Sequence, residues 1–234
     1  MNDSVTILYE QGPCLVVLKP PGLLTQAPPG IDSIELRVKR FLQAREAKEH
    51  NLYLGIVHRL DRPVAGALAI TRHVRAAQRL AEQFEARTVE KKYWAVVEGI
   101  VEPEGGTWID YLRKVPGEPR SEIVDSTHPD AQQAILHFRT VSRNDRYSFL
   151  EIELETGRTH QIRLQSSFHG HPILGDELYG SRTPFGPETD DTRQRWIALH
   201  ARKLGFLHPM TKEPVSVIAP LSAPWRTLNL EIPE

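Results

Sequence analysis

Four ionisable side chains crowd the stretch "GIVHRLDRPVAGALAI", Gly55 to Ile70, between two apolar runs. His58, Arg59, Asp61 and Arg62 surround Leu60, and Pro63 follows at once. A carboxylate beside a low-dielectric core protonates unless a cation or hydrogen bonds hold it ionised. Held ionised and partly shielded from water, it is suited to act as a nucleophile or a general base. The plainer alternative is an Asp61 that caps a turn and bridges to Arg59 or Arg62. The spacing leaves both open.

A second group lies in "ETGRTHQIRL", Glu155 to Leu164. Arg158, His160 and Arg163 gather where a strand pattern gives way to a helical one, with Thr159 placed to cap the helix. His160 and Arg163 would share a helix face at i, i+3. Arginines beside free backbone N–H groups make an anion site that takes a phosphate or a carboxylate. An ordinary charged surface helix is the alternative, and it does not account for the uniform sign. A third group is "KKYWAVVEG". Strand alternation places Tyr93 on one face with Lys91 and Ala95, and Lys92 with Trp94 on the other. A tyrosine among lysines could stack on a base beside a phosphate, although a half-buried tyrosine needs no such role.

His169 and His171 with Asp176 raise the question of zinc, but no third histidine or cysteine stands at a recognised spacing. A metal-assisted nuclease using His58, Asp61, His169 and His171 is disfavoured for the same reason. The chain has no G-x-S-x-G elbow and no glycine-rich phosphate loop.

These groups need elements to position them. "VTILYE" and "CLVVLK" read as a hairpin across "QGP". "PPGLLTQAPPG" breaks regular structure with four prolines and two glycines. From Asp32 or Ser33 a helix is expected, with Ile34, Val38, Phe41 and Leu42 on one face. "LYLGIV" and "AGALAI" read as buried strands on either side of the Asp61 loop. "HVRAAQRLAEQFEA" reads as an amphipathic helix with Val74, Leu80 and Phe84 inward. "KKYWAVVEGIV", "TWIDYLRK", "QQAILHFRTVS" and "YSFLEIELE" read as strands, the last two joined at "RND". Val115 to Asp130 reads as an exposed polar excursion. A short helix follows "TGRTH", and "WIALHARKLGFLHP" and "PVSVIAP" return to strand. Strands outnumber helices and adjoin as hairpins, so the expected fold is α+β, with a mixed, mostly antiparallel sheet flanked by helices and loops.

The chain has 234 residues, a length that can bury a large core unaided. Cys14 is the only cysteine, which excludes a disulfide framework and fits a reducing compartment. The N-terminus lacks a secretory pattern, and no apolar run approaches the roughly 20 residues of a membrane span. A soluble, cytoplasmic protein is expected. With a net charge of −1, RNA binding would have to rest on local positive clusters.

Taken in order, these segments resemble the RluA-type RNA pseudouridine synthases. "HRLDRPVAG" is similar to the family's catalytic loop, "KKYWAVVEG" to its tyrosine strand and "GRTHQIRLQSSFHGHPILGDELYG" to its arginine segment. "KPPGLL" and "LHARKLGFLHP" match as well, so the resemblance covers nearly the whole chain. It implies an isomerase that moves a ribose bond in RNA from a uracil nitrogen to carbon 5, without cofactor or metal. It further implies Asp61 as the essential carboxylate, Arg163 as its ion-pair partner and Tyr93 as the stacking ring. Arg59 would fill the space left by a flipped nucleotide, with His58, Arg62, Lys92, Arg158 and His160 also placed for RNA. The chain departs from the family at Val64-Ala65, where Thr-Ser is common, and at Leu164-Gln165, where Val-His is frequent. Missing hydroxyls at 64 and 65 put the support of the aspartate loop in question. The expectation is a monomeric catalytic domain over residues 1–234, without the small RNA-binding domain many relatives carry at the N-terminus. That favours a compact target such as a tRNA arm while leaving rRNA open. A catalytically silent RNA-binding or ribosome-assembly protein is the competing expectation.

Overall fold

A computed structural model describes residues 4–47 and 52–233. In chain order its first elements are β1 (Thr6–Gln11), β2 (Cys14–Lys19), α1 (Ile34–Glu46), β3 (Gly55–Ile56), β4 (Ala65–Thr71), α2 (Val74–Glu85) and β5 (Glu90–Glu98). There follow β6 (Gly105–Lys114), β7 (Ser121–Ile123), β8 (Gln132–Arg143), β9 (Tyr147–Leu154), α3 (Gln161–Phe168), β10 (Leu199–Leu207) and β11 (Pro214–Ile218). Short 3-10 turns cover Glu177–Tyr179 and Ala223–Thr227. The fold is α+β with a mixed sheet, and the chain gathers into two compact units. One holds the chain up to Lys91 with Asp191–Gln194 and Ala201–Leu221; the other holds Lys92–Asp190, Arg195–His200 and the chain from Ser222.

The first unit is ordered β1-β2-β4-β10, with β3 on β4 and β11 on β10. The β1–β2, β2–β4, β3–β4 and β10–β11 pairs are antiparallel. Alternate residues Cys14, Val16, Ala67, Ala69, Leu204, Phe206, Val215 and Val217 line one face, and Leu80 of α2 packs on them. Leu15, Val17, Leu68 and Ile70, on the opposite face by alternation, are equally buried. Each such side chain contributes about 1.5–3 kcal/mol relative to exposure. Ser33 caps α1 by accepting a hydrogen bond from the Leu36 N–H at 3.2 Å, and Ile34, Val38 and Leu42 are its buried face.

Two expectations change here. Val74 opens α2 but is 51% exposed, and the buried positions are Ala76, Ala77 and Leu80. At about 100° per residue, Val74 lies roughly 120° around the helix from Leu80, on its flank. "LYLGIV" pairs only at Gly55–Ile56, and Tyr53 is exposed.

The second unit is an antiparallel run, β5-β9-β8-β6-β7. Leu164 of α3 packs on Leu112, Ala134 and Tyr179 over this sheet. The expected turn at "RND" is present, its Asn144 side-chain oxygen accepting from the N–H groups of Arg146 and Tyr147. Val115 to Asp130 is not an exposed excursion throughout. Ser121–Ile123 forms β7, paired with Leu112–Lys114, and Ser121 is buried. Its N–H donates to the Tyr179 hydroxyl at 3.0 Å and its hydroxyl to the Thr159 carbonyl at 2.9 Å, contacts with residues far along the chain.

Candidate active site

Asp61 stands in a turn between β3 and β4, closed by the Val64 N–H donating to the Asp61 carbonyl at 3.1 Å. Leu60 and Val64, 5% and 2% exposed, plug the turn into the core on either side and leave Asp61 half-buried. Val64 and Ala65 bring no hydroxyl to the turn, and groups earlier in the chain hold it. Thr25 donates its hydroxyl to the Leu60 carbonyl at 2.8 Å and accepts from the Leu60 N–H at 3.1 Å. On the other side, the Arg62 carbonyl accepts from the Gly22 N–H at 2.8 Å and from Lys19 Nζ at 3.2 Å. Lys19 also donates to the carbonyls of Leu23 (2.6 Å) and Pro20 (2.9 Å). Burial lowers its pKa to about 7; the nearby Asp61 charge opposes that shift and Arg62 adds to it. A positive or titrating ammonium therefore sits beneath the turn that carries the carboxylate.

His58 is no cation at neutral pH. Burial, and secondarily the charge of Lys91, push its pKa down to about 3. Its Nε2 accepts from the Ala69 N–H at 2.9 Å, which assigns the ring proton to Nδ1, and the ring stacks on Phe84 at 4.6 Å. His58 thus splints the turn to β4. Arg59 is exposed and Arg62 half-buried.

The other group of expected site residues lies in the second unit. Tyr93 is half-buried on β5, opposite Ile152 of β9. Lys92 is paired with Glu153 at 2.8 Å and Glu151 at 3.6 Å, and Trp94 donates to Glu151, which places Lys92 and Trp94 on one face. Arg163, 5% exposed, donates from Nε and Nη2 to Asp176 at 2.6 and 2.8 Å. Its guanidinium lies 5.1 Å from the Tyr179 ring centre. His160 Nδ1 lies 2.9 Å from the Tyr179 hydroxyl, so His160 and Arg163 converge on one ring, although His160 precedes the helix and does not share a helical face with Arg163. Arg158 donates to the Gln133 carbonyl at 3.1 Å.

Thr159 does not cap α3. The cap position is His160, in the left-handed region (φ 57°) and without a side-chain cap bond. Gln161 ties the junction instead, its side-chain oxygen accepting from the Arg158 N–H and the Thr156 hydroxyl. A non-glycine residue held there costs on the order of 1–3 kcal/mol and persists only where the surroundings impose it.

The pattern of the RNA pseudouridylate synthase family matches residues 13–168, which contain the Asp61 turn, β5 and the first half of the arginine segment, Arg163 included. The chain belongs to the RNA pseudouridylate synthase family. Membership places it among the RNA isomerases. An uncharacterized RNA pseudouridine synthase of Synechocystis is 31% identical over 97% of this chain and 68% of its own length. Ribosomal large subunit pseudouridine synthase D of Xanthomonas campestris is 35% identical over 93% of this chain and 66% of its own. The chain thus spans about two thirds of the length of these two. tRNA pseudouridine synthase C of Haemophilus ducreyi is 32% identical over 96% of this chain and 94% of its own. Among solved structures, human RNA pseudouridylate synthase domain containing 4 shares the fold, with a TM-score of 0.79 and 23% identity, covering 98% of this chain and 95% of its own.

In this pseudouridylate synthase the sequence reading found the aspartate turn and the arginine helix. It missed the residues that hold them. Lys19 left a faint signal, a single charge ending the apolar run "CLVVLK". Thr25 left none. Asp176 was weighed only as a metal ligand, whereas it is the carboxylate on Arg163. Among the described residues no cluster of three or more His, Cys, Asp or Glu could hold a metal ion. No helix of the described residues is long and apolar enough to cross a membrane.

Proposed function

We propose that the protein converts a uridine in ribosomal or transfer RNA to pseudouridine, with Asp61 as the carboxylate that starts the isomerisation. The observation carrying this reading is a half-buried aspartate in a turn fastened on both flanks, by the buried Thr25 on Leu60 and by the buried Lys19 together with Gly22 on Arg62. Rigid support of a reacting group is what pre-organised catalysis requires.

The reaction breaks the bond from the ribose to the uracil nitrogen and forms one to carbon 5. The proton leaving carbon 5 is balanced by one gained at the freed nitrogen, so no cofactor enters. Asp61 attacks the sugar, attacks the base or removes a ribose proton; these three routes share the same requirement for a carboxylate. Arg163 supplies the compensating positive charge. Extruding the nucleotide costs a few kcal/mol, and stacking on Tyr93 returns about 1–3 kcal/mol. Arg59 fills the vacated space, while Arg62, Arg158 and His160 meet RNA phosphates and sugars. His58 acts through the turn it splints, and Lys92 chiefly through its sheet ion pairs. The substrate class carries with it a cytoplasmic location, and the reading is of a monomer.

The test is to incubate purified protein with total cellular RNA and map pseudouridine. The parent protein forms it at defined sites, and Asp61→Asn forms none while unfolding at the same temperature. Turnover retained in that variant rejects the assignment of Asp61. A parent protein that binds RNA but modifies none of it would instead support the silent, RNA-binding alternative. Comparing maps from a deletion strain and its parent identifies the RNA.

A further inference from the structure

Arg163 and Asp176 are nearly sealed from water, at 5% and 2% exposure. Two parallel bonds join them, Nε to Oδ2 at 2.6 Å and Nη2 to Oδ1 at 2.8 Å. One bond to a planar guanidinium fixes a distance, whereas two fix its plane and its rotation within that plane. The Tyr179 ring, 5.1 Å from Cζ, backs the guanidinium against tilting. Tyr179 is itself held at both ends. Its hydroxyl accepts from the Ser121 N–H and meets His160 Nδ1, and its backbone N–H donates to the Asp176 carbonyl at 3.0 Å. The Asp176 carbonyl also accepts from the Ser181 N–H at 3.1 Å, so the carboxylate projects from a fastened turn.

We propose that Asp176 is a positioning residue for the isomerisation, the buried carboxylate that aims the Arg163 guanidinium. This rests on the reading of Arg163 as the arginine that serves Asp61. A guanidinium gripped along its Nε edge turns its Nη1 protons away from the grip, so the grip sets the direction in which Arg163 presents its charge. A lysine at 163 would keep the charge and lose the direction. Asp176 touches no reacting atom; its effect passes through Arg163.

A merely structural ion pair would not separate turnover from RNA binding. In single-turnover assays on the RNA identified by mapping, Asp176→Asn slows conversion by about 100-fold, the scale of a misplacement of about 1 Å. Affinity for that RNA stays within roughly threefold. In an Arg163→Met background the same substitution costs less than about twofold more, because both act through one group. Asp176→Glu, which keeps the charge on a longer arm and guards against misfolding, loses roughly tenfold. A rate for Asp176→Asn within about threefold of the parent's, or an equal loss in both backgrounds, overturns the proposal. A second readout needs no turnover. In ¹⁵N spectra the Arg163 Nε–H, assigned by its disappearance in Arg163→Lys, is exchange-protected in the parent and loses protection in Asp176→Asn. Protection that persists in Asp176→Asn refutes the clamp. A parent that makes no pseudouridine overturns the functional reading instead, while this signal still decides the clamp.

Discussion

A buried ammonium carries a cost that depends on pH, and Lys19 makes that cost measurable. Three carbonyls match the three protons of its charged form, yet burial outweighs them and brings the pKa from 10.5 to about 7. Below about pH 7 the group is protonated in both folded and unfolded chains. Between about 7 and 10.5 only the unfolded chain holds the proton, so stability rises with pH across that window. The slope is about 1.4 kcal/mol per pH unit. Lys19→Met removes this contribution whatever its effect at neutrality. Urea unfolding at about pH 7 and pH 9 should show the parent gaining roughly 2 kcal/mol more than the variant. Equal gains would mean that Lys19 stays protonated throughout. His58 behaves in the same sense at lower pH, since its neutral ring accepts the Ala69 N–H that an imidazolium could not.

Strands carry the Asp61 turn, and their closeness fixes where it emerges. Gly66, just after the turn, has φ 133°, and a Cβ there would meet the Ala201 carbonyl oxygen at 2.4 Å and its N at 2.6 Å. Only glycine lets β4 and β10 approach this closely at that conformation. Gly66→Ala is therefore expected to lose roughly 2–4 kcal/mol in chemical unfolding, with both the strain and the overlap contributing. A loss below about 0.5 kcal/mol would show that the strands separate at little cost. At the other site the element that matters is the shortest strand of the second unit. The three-residue β7 fastens Tyr179 through Ser121, and Tyr179 backs Arg163.

Over the whole chain 29 basic side chains face 30 acidic ones, so long-range attraction to RNA is weak and contacts must be local. If Arg59, Arg62 and Arg158 are the principal phosphate contacts, log affinity should fall with log salt at a slope of roughly −2 to −3. Filter binding or anisotropy across a salt series measures it, and a slope steeper than about −5 would mean a much wider cationic surface. The family was legible in the residues themselves, because "HRLDRPVAG" and "GRTHQIRL" carry chemistry that depends on residue type and order. Most strands and both long helices were legible as well, since burial of one face imposes a period of 2 or 3.6 that the order of apolar residues displays. What joins distant segments left no such period. Val74 was misplaced because one apolar residue at a helix start has no partner in the pattern, and β7 because its three residues are ordered by Tyr179 and Thr159. Thr25 on Leu60, Lys19 under Arg62, and Asp176 gripping Arg163 were settled by tertiary structure. Each is a hydrogen bond between directional groups, and direction exists only once the backbone has been folded into place.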